Sequence, residues 1–166
     1  KWGRYTFLGA DPQVIFTVRG EDVIIEQGKE IARRKHADDP LRMLKELISH
    51  YRPVPVDGCP RFYGGAVGFL GYDMVRYFER LPAQAADYMQ TDDAVFFITD
   101  TMIIFDNVRH TIKVVACAFT GENVVLRDVY DDCTKRIDAI FSLLSSPDAR
   151  AGDRLPAAEA DDQPFL

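Results

Sequence analysis

Two runs rich in β-branched and aromatic residues, 95–105 and 111–119, flank a turn containing Asp106, Asn107, Val108 and Arg109. A link this short cannot carry the chain back to the starting end of the first strand, as parallel pairing requires, so the runs read as a long antiparallel hairpin. A helix follows. Leu126, Val129, Tyr130, Cys133, Ile137, Ile140, Phe141 and Leu144 keep to one face for about five turns of 3.6 residues, and Pro147 ends the pattern. This is the strongest helix of the sequence.

The residues upstream repeat the theme. The chain starts at Lys1 without an initiator Met and residues 4–8 already read as a strand, so its beginning is expected to be truncated. Across 13–19, Val14, Phe16 and Val18 alternate with Ile15, Thr17 and Arg19, the period of a strand with one face more buried. Gly20, Glu21 and Asp22 supply a turn into 23–26, which pairs back as a hairpin, and another short strand is expected after Gly28.

Asp38 and Asp39 before Pro40 give a capping carboxylate followed by a proline at the first helical position, where its missing N–H costs nothing. Leu41, Leu44, Leu47, Ile48 and Tyr51 then form an apolar stripe that calls for a sheet beneath it and ends before Pro53 and Pro55. Hairpins with only two convincing helices predict an α+β fold, mostly antiparallel sheet with two main helices. The expected domain covers 1–147, and 148–166, rich in Ala, Asp and Pro, is expected to be a linker.

A net charge of −6 with scattered Lys and Arg excludes a basic nucleic-acid footprint. No apolar run approaches the roughly 18 to 20 residues that cross a bilayer. A cytoplasmic protein with no nucleic-acid or membrane partner is expected. Cys59, Cys117 and Cys133 show no thiolate-metal or redox spacing and read as reduced thiols, and His36, His50 and His110 are equally scattered, so no metal site is expected. Adjacent acids, Asp92 with Asp93 and Asp131 with Asp132, would point apart if in a strand, and Asp131 and Asp132 belong on the solvated side of the long helix. No Gly-x-Ser-x-Gly elbow and no Cys with an obvious partner base is present. No catalytic residue is assigned.

The most unusual segment is 62–80, Phe-Tyr-Gly-Gly-Ala-Val-Gly-Phe-Leu-Gly-Tyr-Asp-Met-Val-Arg-Tyr-Phe-Glu-Arg. Its glycines, Gly64, Gly65, Gly68 and Gly71, match neither Gly-x-Gly-x-x-Gly nor a phosphate loop ending in Gly-Lys-Ser/Thr. They fit a strand that lies close against another backbone or bends across a sheet.

This segment, with Leu81 and Pro82, resembles the N-terminal region of the anthranilate synthase component I family. So does the opening, Trp2-Gly3-Arg4-Tyr5-Thr6-Phe7-Leu8-Gly9-Ala10-Asp11-Pro12, which is similar to that family's Gly-Arg-Tyr-Ser-Phe-Leu-Gly strand. The Leu-Leu-Glu-Ser signature that precedes that strand in the family is absent. Asp39-Pro40-Leu41 entering a helix, and the hairpin followed by a long helix, match in order, so the likeness covers nearly the whole chain.

The resemblance implies a regulatory and scaffolding region of an enzyme, a carbon–oxygen lyase of tryptophan biosynthesis. The intact protein would convert chorismate and ammonia to anthranilate and pyruvate under tryptophan feedback inhibition. It implies Mg2+ and chorismate bound in the protein's own C-terminal catalytic domain, at positions this chain does not contain, and a glutamine amidotransferase subunit, anthranilate synthase component II, as partner. It further implies a tryptophan effector pocket between the two halves, to which Arg4, Tyr5, Trp2 and Gly3 would contribute. A guanidinium offers a fork suited to a carboxylate, and an aromatic ring offers a wall for an indole. The alternative for Arg4 is an ordinary surface or salt-bridged arginine at a strand start.

Aminodeoxychorismate synthase component I shares the architecture and is the alternative within the family. A stand-alone amino-acid-binding module is the alternative outside it. As part of a larger enzyme, the chain is expected to expose an apolar face that the remainder covers.

Overall fold

The structure is a computed structural model that describes residues 3–36, 39–82, 88–121 and 123–146. The expected linker 148–166 and Trp2 lie outside the described residues. Among the described residues, eight strands and two α-helices follow in order: β1 (Tyr5–Gly9), β2 (Val14–Arg19), β3 (Asp22–Gln27), β4 (Glu30–Lys35), α1 (Pro40–Ser49), β5 (Gly65–Leu70), β6 (Ala94–Thr99), β7 (Thr101–Asp106), β8 (Thr111–Ala116) and α2 (Leu126–Ser145). A 3-10 helix, Tyr72–Tyr77, lies between β5 and β6.

The strands form two antiparallel sheets, one ordered β4-β3-β2-β6-β5 and the other β1-β7-β8. The fold is α+β, as the hairpin pattern predicted. In the larger sheet, Val14, Phe16 and Val18 of β2 are buried and face the same side as Val23 of β3 and Ala94 of β6, both in register with Val18. Leu44 of α1 and Met74 of the 3-10 helix close this core, with Leu41, Met43, Leu47, Ile48 and Tyr77 packed around it. The stripe on α1 therefore found the sheet it called for.

Local signals explain the boundaries. Asp39 is extended (φ −122°) and its side chain accepts a hydrogen bond from Leu41 N at 2.9 Å, with Pro40 opening α1. Gly20 turns β2 into β3 at φ +54°, a left-handed conformation that glycine adopts without a Cβ penalty. A Cβ built on Gly68 would overlap Val95 O and sit 2.7 Å from Phe96 Cα, so this strand does lie against another backbone.

One expectation is corrected. The run 95–105 is two strands, β6 and β7, which break at buried Asp100 and enter different sheets. Eleven residues at about 3.3 Å each would overshoot a typical strand of five or six residues, so the run bends and both sheets take a share. The hairpin that remains is β7 with β8, registered from Thr101↔Ala116 to Asp106↔Thr111. The long helix is also less covered than its stripe implied: Cys133 is buried, but Leu126 and Tyr130 are each 65 % exposed.

Candidate effector site and adjacent groove

Arg4 stands just before β1, where its carbonyl accepts a hydrogen bond from Asn107 N at 2.8 Å. The Asn107 side chain bonds back to Gly3 O and Thr6 Oγ1, each at 3.2 Å, so the turn after β7 clasps the start of β1. The Arg4 guanidinium forks onto Asp106, with Nη2 3.0 Å from Oδ2 and Nε 3.3 Å from Oδ1, and its Cζ lies 4.8 Å from the centre of the Tyr5 ring. Asp106 is buried and also accepts from Val108 N and Arg109 N at 3.2 and 3.1 Å. These bonds, above all the Arg4 fork, hold its carboxyl down to about 2 against burial that opposes ionisation.

Gly3 and Arg4, which the resemblance proposed for the effector pocket with Tyr5, immediately precede β1, and Tyr5 opens it. Asp106, 102 residues away, was read only as a turn residue, and no local pattern signals that a turn acid will meet an arginine across a sheet.

An aromatic file leads away from Arg4. Tyr5 and Phe7 are 6.1 Å apart between ring centres, and Phe7 meets Phe62 edge-on at 5.4 Å. Phe7 and Phe62 enter a groove of about 300 Å3, lined also by Leu8, Val67, Phe97 and Met102. The groove joins β1 of the smaller sheet to β5 and β6 of the larger one. Phe7, Leu8, Val67 and Phe97 are between 41 % and 57 % exposed, so the apolar lining of the groove is open to solvent.

A second polar cluster is structural. Arg136 of α2 donates from Nη1 to Asp100 Oδ2 at 2.6 Å and to Thr101 Oγ1 at 2.7 Å, and from Nη2 to Cys133 Sγ at 3.3 Å. Its Nε pairs with Asp132 at 3.0 Å, outside hydrogen-bonding geometry. This cluster ties α2 to the break between β6 and β7. Cys59, Cys117 and Cys133 are free thiols, and burial pushes Cys117 up. Among the described residues no three His, Cys, Asp or Glu side chains converge as a metal site, and no helix is long and apolar enough to cross a membrane.

Curated relatives and solved structures point to the same proteins. Anthranilate synthase component 1 of Pseudomonas aeruginosa is 30% identical over 99% of this chain and 33% of its own length. That of Aquifex aeolicus is 33% identical over 75% of the chain and 25% of its own length. The crystal structure of anthranilate synthase component I from Streptococcus pneumoniae superposes with a TM-score of 0.67 at 26% identity, covering 87% of this chain and 30% of that one. The chain is related to the N-terminal part of anthranilate synthase component I. No protein-family model matches. The chain spans between a quarter and a third of the length of these component I relatives.

Proposed function

We propose that this chain is the regulatory and scaffolding front of an anthranilate synthase large subunit. In this reading the intact polypeptide converts chorismate and ammonia to anthranilate and pyruvate in the cytoplasm, with ammonia supplied from glutamine by an amidotransferase subunit. The observation that carries it is the match over 99% of the chain to one third of the P. aeruginosa component 1. The relatives named above are anthranilate synthases, which favours this branch over aminodeoxychorismate synthesis.

The described residues offer no cluster fit for Mg2+, so the reading assigns metal and chorismate to the rest of the polypeptide and derives no chemical step here. This chain's share is regulation. Gly3, Arg4 and Tyr5, with Trp2 beside them, are the proposed contribution to a tryptophan pocket, Arg4 facing the carboxylate and Tyr5 the indole. Arg4 is already held by Asp106, so an incoming carboxylate must share the fork or displace Asp106 from it. Tryptophan inhibits in this scheme only by binding more tightly to the less active arrangement of the two halves, a coupling typically of about 1 to 3 kcal/mol.

The test uses the full reading frame. The intact polypeptide given chorismate, ammonium and Mg2+ should release fluorescent anthranilate, whereas accumulation of aminodeoxychorismate would move the protein to the folate branch. Calorimetry with tryptophan should show binding weakened at least about tenfold by Arg4→Ala, the equivalent of 1.4 kcal/mol. Unchanged affinity would remove Arg4 from the pocket.

A further inference from the structure

Asp100, where the run 95–105 divides, has a cysteine on either side of it. Its carbonyl accepts a hydrogen bond from Cys117 N at 2.6 Å, one step past the Thr101↔Ala116 pair, so the ladder of β7 and β8 continues and sets Cys117 opposite Asp100. Residues directly opposite in an antiparallel pair share a face. The Asp100 carboxylate is held from α2 by Arg136 Nη1 at 2.6 Å, so the Cys117 side chain stands on the face that α2 covers.

Cys133 reaches the same place from the helix. It is buried one turn before Arg136, and its Sγ accepts an N–H from Arg136 Nη2 at 3.3 Å. One guanidinium thus touches both the Asp100 carboxylate and the Cys133 sulfur, while the Asp100 backbone holds Cys117. Burial first, then Asp100 and Cys133 beside it, push the Cys117 thiol up.

Both cysteines are free thiols, and Cys117 Sγ has one weak bond, to Tyr63 O at 3.5 Å. Among the described residues no three His, Cys, Asp or Glu side chains converge there to make a metal site. The chemistry open to two neighbouring thiols on different elements is to join each other. Cys133 is buried and Cys117 half-buried, which admits a small peroxide more readily than a bulky disulfide oxidant.

We propose that Cys117 and Cys133 form a redox latch, which hydrogen peroxide closes into a disulfide between the end of β8 and α2 and which a dithiol reopens. Cys117, the more exposed, takes the first step: its sulfur attacks the O–O bond, giving a sulfenic acid and one water. The Cys133 sulfur then attacks the sulfenic sulfur, so that an S–S bond forms, the S–O bond breaks, and the oxygen leaves with the second thiol proton as water. The two thiols lose two electrons and the peroxide gains them. Because burial keeps Cys117 mainly as the thiol, closing is slow. The closed latch replaces the polar tether of α2 with a covalent one. It is independent of the reaction assigned to the intact polypeptide.

The test oxidises the intact, folded polypeptide with hydrogen peroxide, alkylates the remaining thiols in denaturant and digests with trypsin. Cys59, Cys117 and Cys133 fall in separate peptides, 46–61, 114–127 and 128–135. Mass spectrometry should find 114–127 joined to 128–135 and separated again by dithiothreitol. Amide exchange over α2 should slow at least about tenfold on oxidation, and neither Cys117→Ala nor Cys133→Ala should show that slowing. Full alkylation of both cysteines after peroxide overturns the proposal, as does a sulfinic acid on either one without a link. A link from Cys117 to Cys59 instead overturns this pairing, and a link between 114–127 and 128–135 that forms only in denaturant shows that the fold does not bring the pair together.

Discussion

At Gly68 the backbones of β5 and β6 come so close that a methyl group has no room: its carbon would sit 2.7 Å from Phe96 Cα and 2.8 Å from Val95 C. Neither neighbour is a flexible side chain that can swing away. Gly68→Ala should therefore cost about 3 kcal/mol, at the upper end of ordinary overpacking, whereas Gly121→Ala, where the nearest atom is 3.8 Å away, should stay within about 0.5 kcal/mol. Chemical denaturation of the three proteins checks this, and equal midpoints would contradict it.

Asp106 sets a pH dependence. Its folded value of about 2 lies below the ordinary 3.8, chiefly through the Arg4 fork, so its stabilising share is fully present above the ordinary value and is lost as pH falls from about 3.8 through about 2. Arg4→Gln should flatten the fall in thermal midpoint across that window, and an unchanged slope would show that Arg4 does not hold Asp106. Tyr77 titrates the other way: burial first, then its hydrogen bond to Asp93 at 2.7 Å, pushes its hydroxyl well above the usual tyrosine value.

Among the elements, α2 depends most on a polar tether. Only Cys133 is buried on it, while Phe141 and Leu143 are at least half exposed, so apolar contact anchors it weakly. Arg136 compensates by reaching Asp100 and Thr101 at the break between the sheets. Arg136→Leu leaves the buried Asp100 carboxylate without its cation and should destabilise the chain by about 3 kcal/mol, with Asp100→Asn in the same background recovering part of the loss. No recovery in that double variant would mean that Arg136 acts through packing.

The same elements mark what was legible. The alternation of Val14, Phe16 and Val18 and the Asp39-Pro40 cap are local signals, and both elements formed where their residues placed them. The break at Asp100 was hidden because residues on both sides of it favour strands equally, and only the finite width of each sheet divides the run. Asp106 escaped for a related reason, since its partner Arg4 is brought to it by β1 pairing with β7 across a hundred residues. The exposure of Leu126 and Tyr130 was not legible either, because a helical stripe records which residues want cover and not whether this stretch of chain supplies it.

At the scale of the whole molecule, the two sheets and two helices of the described residues bury one main core and leave a second apolar surface open among those residues. Phe7, Leu8, Val67, Phe69 and Phe97 form part of that surface, and the chain accounts for about one third of the P. aeruginosa relative. On the reading proposed above, this scaffold positions a larger partner and carries a regulatory pocket, while the reacting groups lie outside it. The direct measurement is chorismate turnover with ammonium and Mg2+ by the purified 166-residue chain beside the intact polypeptide. Anthranilate from the intact protein and none from the short chain is the expected result, and anthranilate from the short chain alone would contradict the division of labour proposed here.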